Sequence, residues 1–177
     1  MDYSKLANAV VIHPRGDDTT YFLRPIYERW PAVAVDAEDN ALAEYLSKYR
    51  VIAMGHGGSD GLFDAGYQCI LHAGHVEALR HKSDNVFIWC YASEFMRSNQ
   101  LRGFATGMFI SETREAAIFG IEASEDEIKN SNELFASILG DCLHLSSAAI
   151  YSRVLGEYSI SGNKIVEYNR ERMYFAA

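Results

Sequence analysis

Cys90 and His56 are the two residues whose types and positions could do covalent chemistry. A free thiol, with a pKa of about 8.5, is only a few per cent thiolate at pH 7. A nearby imidazole can take its proton or stabilise the thiolate as a cation. Each residue stands directly after a short apolar run: Val51-Ile52-Ala53-Met54-Gly55 leads into His56, and Val86-Phe87-Ile88-Trp89 leads into Cys90. Gly57 and Gly58 follow the histidine, leaving room for a bound chain to approach the backbone. One of their N–H groups, with that of Cys90, could form an oxyanion hole, a donor typically worth about 3 kcal/mol in the transition state. Each residue alone also has a plainer reading. Cysteine is commonly buried and inert, and a histidine before glycines can simply sit in a turn. The order, histidine then cysteine at the ends of two successive apolar runs, is what favours chemistry.

The elements that would position the pair follow from apolar periodicity. Ala9 to Ile12 reads as a buried strand. Phe22, Leu23, Ile26, Tyr27 and Trp30 recur at helical spacing, with Pro31 as the stop and Pro25 awkward unless it lies in the first turn. Ala32 to Val35 is a second strand. Glu38 to Tyr49 is an amphipathic helix with Asp36 or Asp39 near its start. Val51 to Met54 is a third strand, Gly61 to Leu71 a hairpin, and His75 to His81 a short helix. Val86 to Trp89 is a fourth strand. Ser93 to Leu101 is a helix stopped by Gly103, and Ala105 to Ser111 a fifth strand. Ser124 opens a long helix to about Leu145, its first turn rich in acids. A further helix follows, then a tail from Asn163 to Phe175 with helical periodicity.

Strands alternating with helices predict an α/β fold, a three-layer sandwich with a mostly parallel central sheet. In such sheets reactive groups collect beyond the carboxyl ends of the strands. If the third and fourth strands are parallel neighbours, His56 and Cys90 share one crevice.

These segments resemble the caspase-like (clan CD) cysteine peptidases, the group of caspases, legumains, gingipains, separases and CHAT-domain proteases. The likeness, closest to the small CHAT/caspase-like bacterial members, rests on Val51–Gly58, Val86–Ser93 and Leu101–Ser111, within about Ala9 to Ser111. It implies a caspase-like fold, His56 as general base or acid, Cys90 as nucleophile, and the Gly57 N–H as an oxyanion donor. It implies no metal and no cofactor. The separation of 34 residues between His56 and Cys90 is shorter than the roughly 50 of caspases. Ile88 stands where caspases and legumains place a polar specificity residue, so a requirement for aspartate does not carry over. Ser111 and Glu112 match a region that lines the first specificity pocket in several members. Glu112, Asp60 or Asp64 would therefore favour a basic substrate residue, or else each is a solvated surface acid.

Other candidates carry less. His72, His75 and His81 lie close together near Cys69, but no spaced cysteine pair supports zinc. His13 and Asp17 follow the first strand and would border the crevice, with Asp17-Asp18-Thr19-Thr20 more simply a helix cap. The glycines from Gly55 to Gly61 lack the Lys-Ser/Thr of a phosphate-binding loop.

The 177 residues suit one domain, 1–177. A net charge of −8 disfavours nucleic acid. No run of about 18 apolar residues exists to span a membrane, and no basic segment followed by a long apolar one opens the chain. Three cysteines, Cys69, Cys90 and Cys142, are too few for a disulfide framework and point to a reducing cytoplasm. The expected activity is therefore a cysteine endopeptidase acting on a protein or peptide. The rival is an inactive, caspase-like binding or regulatory domain. A larger complex or homo-oligomer stays open. A glutaminase-type amidotransferase needs its histidine after the cysteine, and His144 is the only one there.

Overall fold

The computed structural model describes residues 8–16, 18–30, 33–35, 42–48 and 50–177. Five short apolar segments form parallel strands: β1 (Ala9–Ile12), β2 (Val33–Val35), β3 (Arg50–Met54), β7 (Asn85–Ile88) and β8 (Gly103–Thr106). A sixth, β9 (Met173–Ala176), joins the edge of β8 antiparallel. The order across the sheet is β2-β1-β3-β7-β8-β9. Between β3 and β7 the chain makes a separate three-stranded antiparallel sheet of β4 (Gly57–Gly58), β5 (Gly61–Phe63) and β6 (Cys69–His72).

Strand side chains alternate between two faces, and both faces are covered. Val11, Ile52, Met54, Val86, Ile88 and Phe104 pack against α5 (Glu125–Cys142), α6 (Ser147–Glu157) and the 3-10 helix Asp18–Ile26. Val10, Ile12, Val51, Ala53, Phe87 and Trp89 pack on the other face against α1 (Leu42–Lys48), α2 (Val76–Arg80) and α3 (Ala92–Ser98). The chain is thus a mixed α/β protein built on a mostly parallel sheet. The expected helix start at Asp36 or Asp39, the Pro31 stop and the loop residue Asp17 lie outside the described residues. Among the described residues, no helix is long and apolar enough to cross a membrane.

Four expectations are corrected. The segment around Phe22 is a 3-10 helix from Asp18 to Ile26 and then a turn, not an α-helix to Trp30. Pro25 lies inside it, and a proline there lacks the N–H and crowds the carbonyl of residue i−4. α3 ends at Ser98 through a left-handed Gln100 (φ 54°), with Leu101 N–H donating to Met96 O at 2.9 Å, rather than at Gly103. The fifth strand stops at Thr106. Phe109–Ser111 is loop, because the Asn169 side chain takes both backbone groups of Ile110: its N–H donates to Oδ1 at 2.7 Å, and Nδ2 donates to its carbonyl at 2.9 Å. The tail is α7 (Lys164–Glu171) followed by β9, so its last residues are strand rather than helix. A short helix not foreseen, α4 (Thr113–Ile118), follows the loop.

Candidate active site

β3 and β7 are hydrogen-bonded parallel neighbours, paired Ile52↔Val86, Ala53↔Phe87 and Met54↔Ile88. Each pair is offset by 34 positions, and 56 + 34 = 90. His56 and Cys90 each stand two residues beyond the carboxyl end of these paired strands. Gly55 N–H donates to Ile88 O at 3.0 Å and completes the last pair, Met54↔Ile88.

Cys90 sits in a tight strand-to-helix turn fixed on both sides. Thr106 Oγ1 donates to the Trp89 carbonyl at 2.8 Å, and Tyr91 N–H donates to Gly107 O at 3.0 Å. Tyr91 itself is left-handed (φ 66°), an unfavourable conformation for a bulky residue. Such outliers persist where the surroundings over-determine them, often at functional sites.

Both Cys90 and His56 line one narrow cleft, with Thr20, Phe22, Leu23, Ile88, Phe109, Ser111 and Glu115 as its other main walls. Its free volume of about 20 Å³ is room for roughly one water molecule. The thiol is half-buried and donates weakly to the Phe109 carbonyl at 3.5 Å. Burial pushes its pKa up to about 11. The hydrogen bond to Phe109 pulls it down a little, and the Glu115 carboxylate pushes it up again. At rest the sulfur is thus a protonated thiol. His56 Nε2 shares a 2.7 Å hydrogen bond with Thr19 Oγ1 at the start of the 3-10 helix.

Gly57 has a structural cause. A Cβ on Gly57 would lie 2.2 Å from Trp89 Cδ1 and 2.5 Å from Gly61 O, so the indole occupies the face a side chain would take. Trp89 Nε1 donates to Gly58 O at 3.0 Å and ties β4 to the strand that bears Cys90. Phe63 N–H donates to His56 O at 2.8 Å, and Gly57 is the next residue along, facing Leu62. Antiparallel neighbours exchange hydrogen bonds only at alternate pairs, so the Gly57 N–H is turned away from β5.

The remaining candidates separate. Ser111 lines the cleft, and its N–H and hydroxyl both donate to Glu115 Oε2, at 2.7 and 3.2 Å. Glu112 lies on the rim of a larger neighbouring groove. Asp60 is exposed in the β4–β5 turn and lines neither cavity; its carbonyl accepts from Cys69 Sγ at 3.7 Å. Asp64 is a turn residue, its Oδ1 accepting from Gly66 N and Gln68 N. His13 is buried, bonded to Tyr27 OH at 2.8 Å and Thr20 Oγ1 at 3.0 Å, and lines a different cavity. His72 and His75 touch, ring centroids 4.4 Å apart, but both Nδ1 atoms accept backbone N–H groups and cap a helical turn. Among the described residues no three metal-ligating side chains cluster.

Thr19 and Glu115 were not singled out by sequence for these roles. Thr19 lies in a polar loop segment that reads equally well as a cap. Glu115 had a weak signal, an acid three residues after the start of a helix, where it can cap the chain before it. No family model, curated protein or solved structure matches the chain.

Proposed function

We propose that this protein is a cysteine endopeptidase of the caspase-like kind, with Cys90 as nucleophile and His56 as its base and acid. The observation that carries the reading is the shared register of β3 and β7, which sets both residues at one cleft mouth. The left-handed turn at Tyr91 and the polar anchor of His56 on Thr19 support it.

The chemistry follows from the resting state. Cys90 begins as a thiol, so His56 takes its proton as Sγ attacks the scissile carbonyl carbon. The carbonyl oxygen becomes an oxyanion, held by the N–H groups of Gly57 and Cys90. As the tetrahedral intermediate collapses, the C–N bond breaks and His56 gives its proton to the leaving amine, which leaves a thioester on Cys90. Water then attacks the thioester carbon, gives a proton to His56, and releases the acid as Sγ recovers a proton. No step needs a metal or an organic cofactor.

A second reading has its own support. The narrow cleft and the protonated, hydrogen-bonded thiol fit a domain that binds a partner without cutting it. Digestion of a proteome-derived peptide library, read by mass spectrometry, separates the two. New termini with the wild type and none with Cys90→Ala support the peptidase. A library left intact by both supports the binding domain.

A further inference from the structure

A large groove opens beside the Cys90 cleft rather than within it. It has a volume of about 770 Å³, inside the range of roughly 300–1,000 Å³ common for ligand pockets. The two spaces share Phe22 and Ser111 as common walls, so the groove lies directly beside Cys90's cleft.

The groove is laid along one face of α5. Ile128, Asn132 and Ala136 recur at fourfold spacing and form its floor. Phe22 and Pro25 of the 3-10 helix make one wall, and the chain entering α4 makes the other. Two of these floor residues, Ile128 and Ala136, are apolar. On the rim, three acids (Glu112, Glu125, Glu133) stand with three bases (Arg29, Arg114, Lys129). Arg29 is held by Asp141 at 2.6 Å, and Lys129 faces Glu133 at 3.8 Å. The six rim charges sum to zero. Nothing in that balance selects a strongly charged side chain. Asn132 is only 8% exposed, and its Nδ2 donates to Ser111 O at 2.9 Å, which pins the chain before α4 against α5.

We infer that the groove seats the substrate's own chain, an extended peptide whose large apolar side chain, leucine- or phenylalanine-like, lies on the α5 face near the scissile bond. This rests on the peptidase reading for its link to Cys90, but the groove can be tested without catalysis.

Acetyl-tripeptidyl acyloxymethyl ketones with alanine at all but one position, and Leu, Phe, Ala, Arg or Asp at the varied one, measure the preference. The readout is the rate of covalent capture by intact mass. At the most discriminating position Leu or Phe should react at least ~10-fold faster than Ala, Arg or Asp. Ser137→Trp and Thr113→Trp, each at an exposed position on opposite rims, should bring the preference to within about twofold. Thermal melts confirm that both variants fold. A preference for Arg or Asp, or an apolar preference that survives both tryptophans, overturns the inference. Calorimetric titration of Cys90→Ala with the matching tripeptide amides gives the independent arm. Apolar peptides that bind this variant, and lose binding on adding either tryptophan, uphold the groove even if no ketone labels Cys90, in which case only the peptidase reading falls. No binding of the Leu or Phe amide overturns the groove.

Discussion

A thiol held at a pKa of about 11 makes a specific kinetic demand on Cys90. At pH 7 its thiolate fraction is about 10⁻⁴, against about 3% for a free cysteine, a deficit of roughly 300-fold. A more basic thiolate is intrinsically more nucleophilic. With a Brønsted slope near 0.45, a shift of about 2.5 units restores roughly 10-fold. Alkylation of Cys90 by iodoacetamide at pH 7 should therefore run about 30-fold slower than that of a model thiol. The assay is peptide-resolved mass spectrometry of each cysteine over time, from pH 6 to 10.5. The rate at Cys90 should rise log-linearly with pH and show no plateau below about pH 10. Glu115→Gln removes the nearby carboxylate that raises the thiol, so its rate at pH 7 should exceed that of the wild type. A plateau with a midpoint below pH 8, or labelling at pH 7 as fast as the model thiol, would refute this picture of the resting thiol.

Other outcomes follow from single contacts. Thr19→Ala removes the hydroxyl that holds His56 and should lower peptidase kcat by about 10-fold with little change in KM, whereas Thr19→Ser should restore most of it. Gly57→Ala forces a methyl against the Trp89 ring and the Gly61 carbonyl, and should cost about 1–3 kcal/mol in a denaturant melt. Asn169→Ala leaves both backbone groups of Ile110 unpaired in the core; about 2–3 kcal/mol of stability should go, lowering Tm by several degrees. His75 has its pKa lowered, by burial first and then by His72, so the fold prefers its neutral form. Its contribution to stability is complete above the unfolded value of about 6.5 and is lost as pH falls below it. The drop in Tm between pH 7.5 and 5.5 should therefore be smaller in His75→Gln than in the wild type.

What the sequence revealed and what it hid divide along physical lines. The inner strands are buried on both faces, so they read as unbroken apolar runs, and β1, β3 and β7 stand within a residue or so of their expected bounds. β9 was hidden because Met173-Tyr174-Phe175-Ala176 continues the apolar spacing of α7; only pairing with the open edge of β8 makes it strand. The loop at Phe109–Ser111 was hidden for the converse reason. Its residues are strand-like, but the Asn169 amide, some sixty positions away, supplies the hydrogen bonds a neighbouring strand would have given. His56 and Cys90 were legible because each follows a strand directly. Their alignment was not, since the spacing between two strands does not fix their register. Thr19 and Glu115 reach the cleft only through tertiary folding. The larger groove draws on residues from Phe22 to Ser137, a span that no local pattern joins.

The most direct test of the central claim is covalent capture of Cys90 by a peptidyl acyloxymethyl ketone, followed by intact mass and peptide mapping. The expected result is one adduct per chain, on Cys90, with a rate at least ~100-fold lower in His56→Ala. An adduct that forms equally well without the imidazole, or that lands on Cys69 while Cys90 stays unmodified, would contradict a working pair of sulfur and histidine at this edge of the sheet.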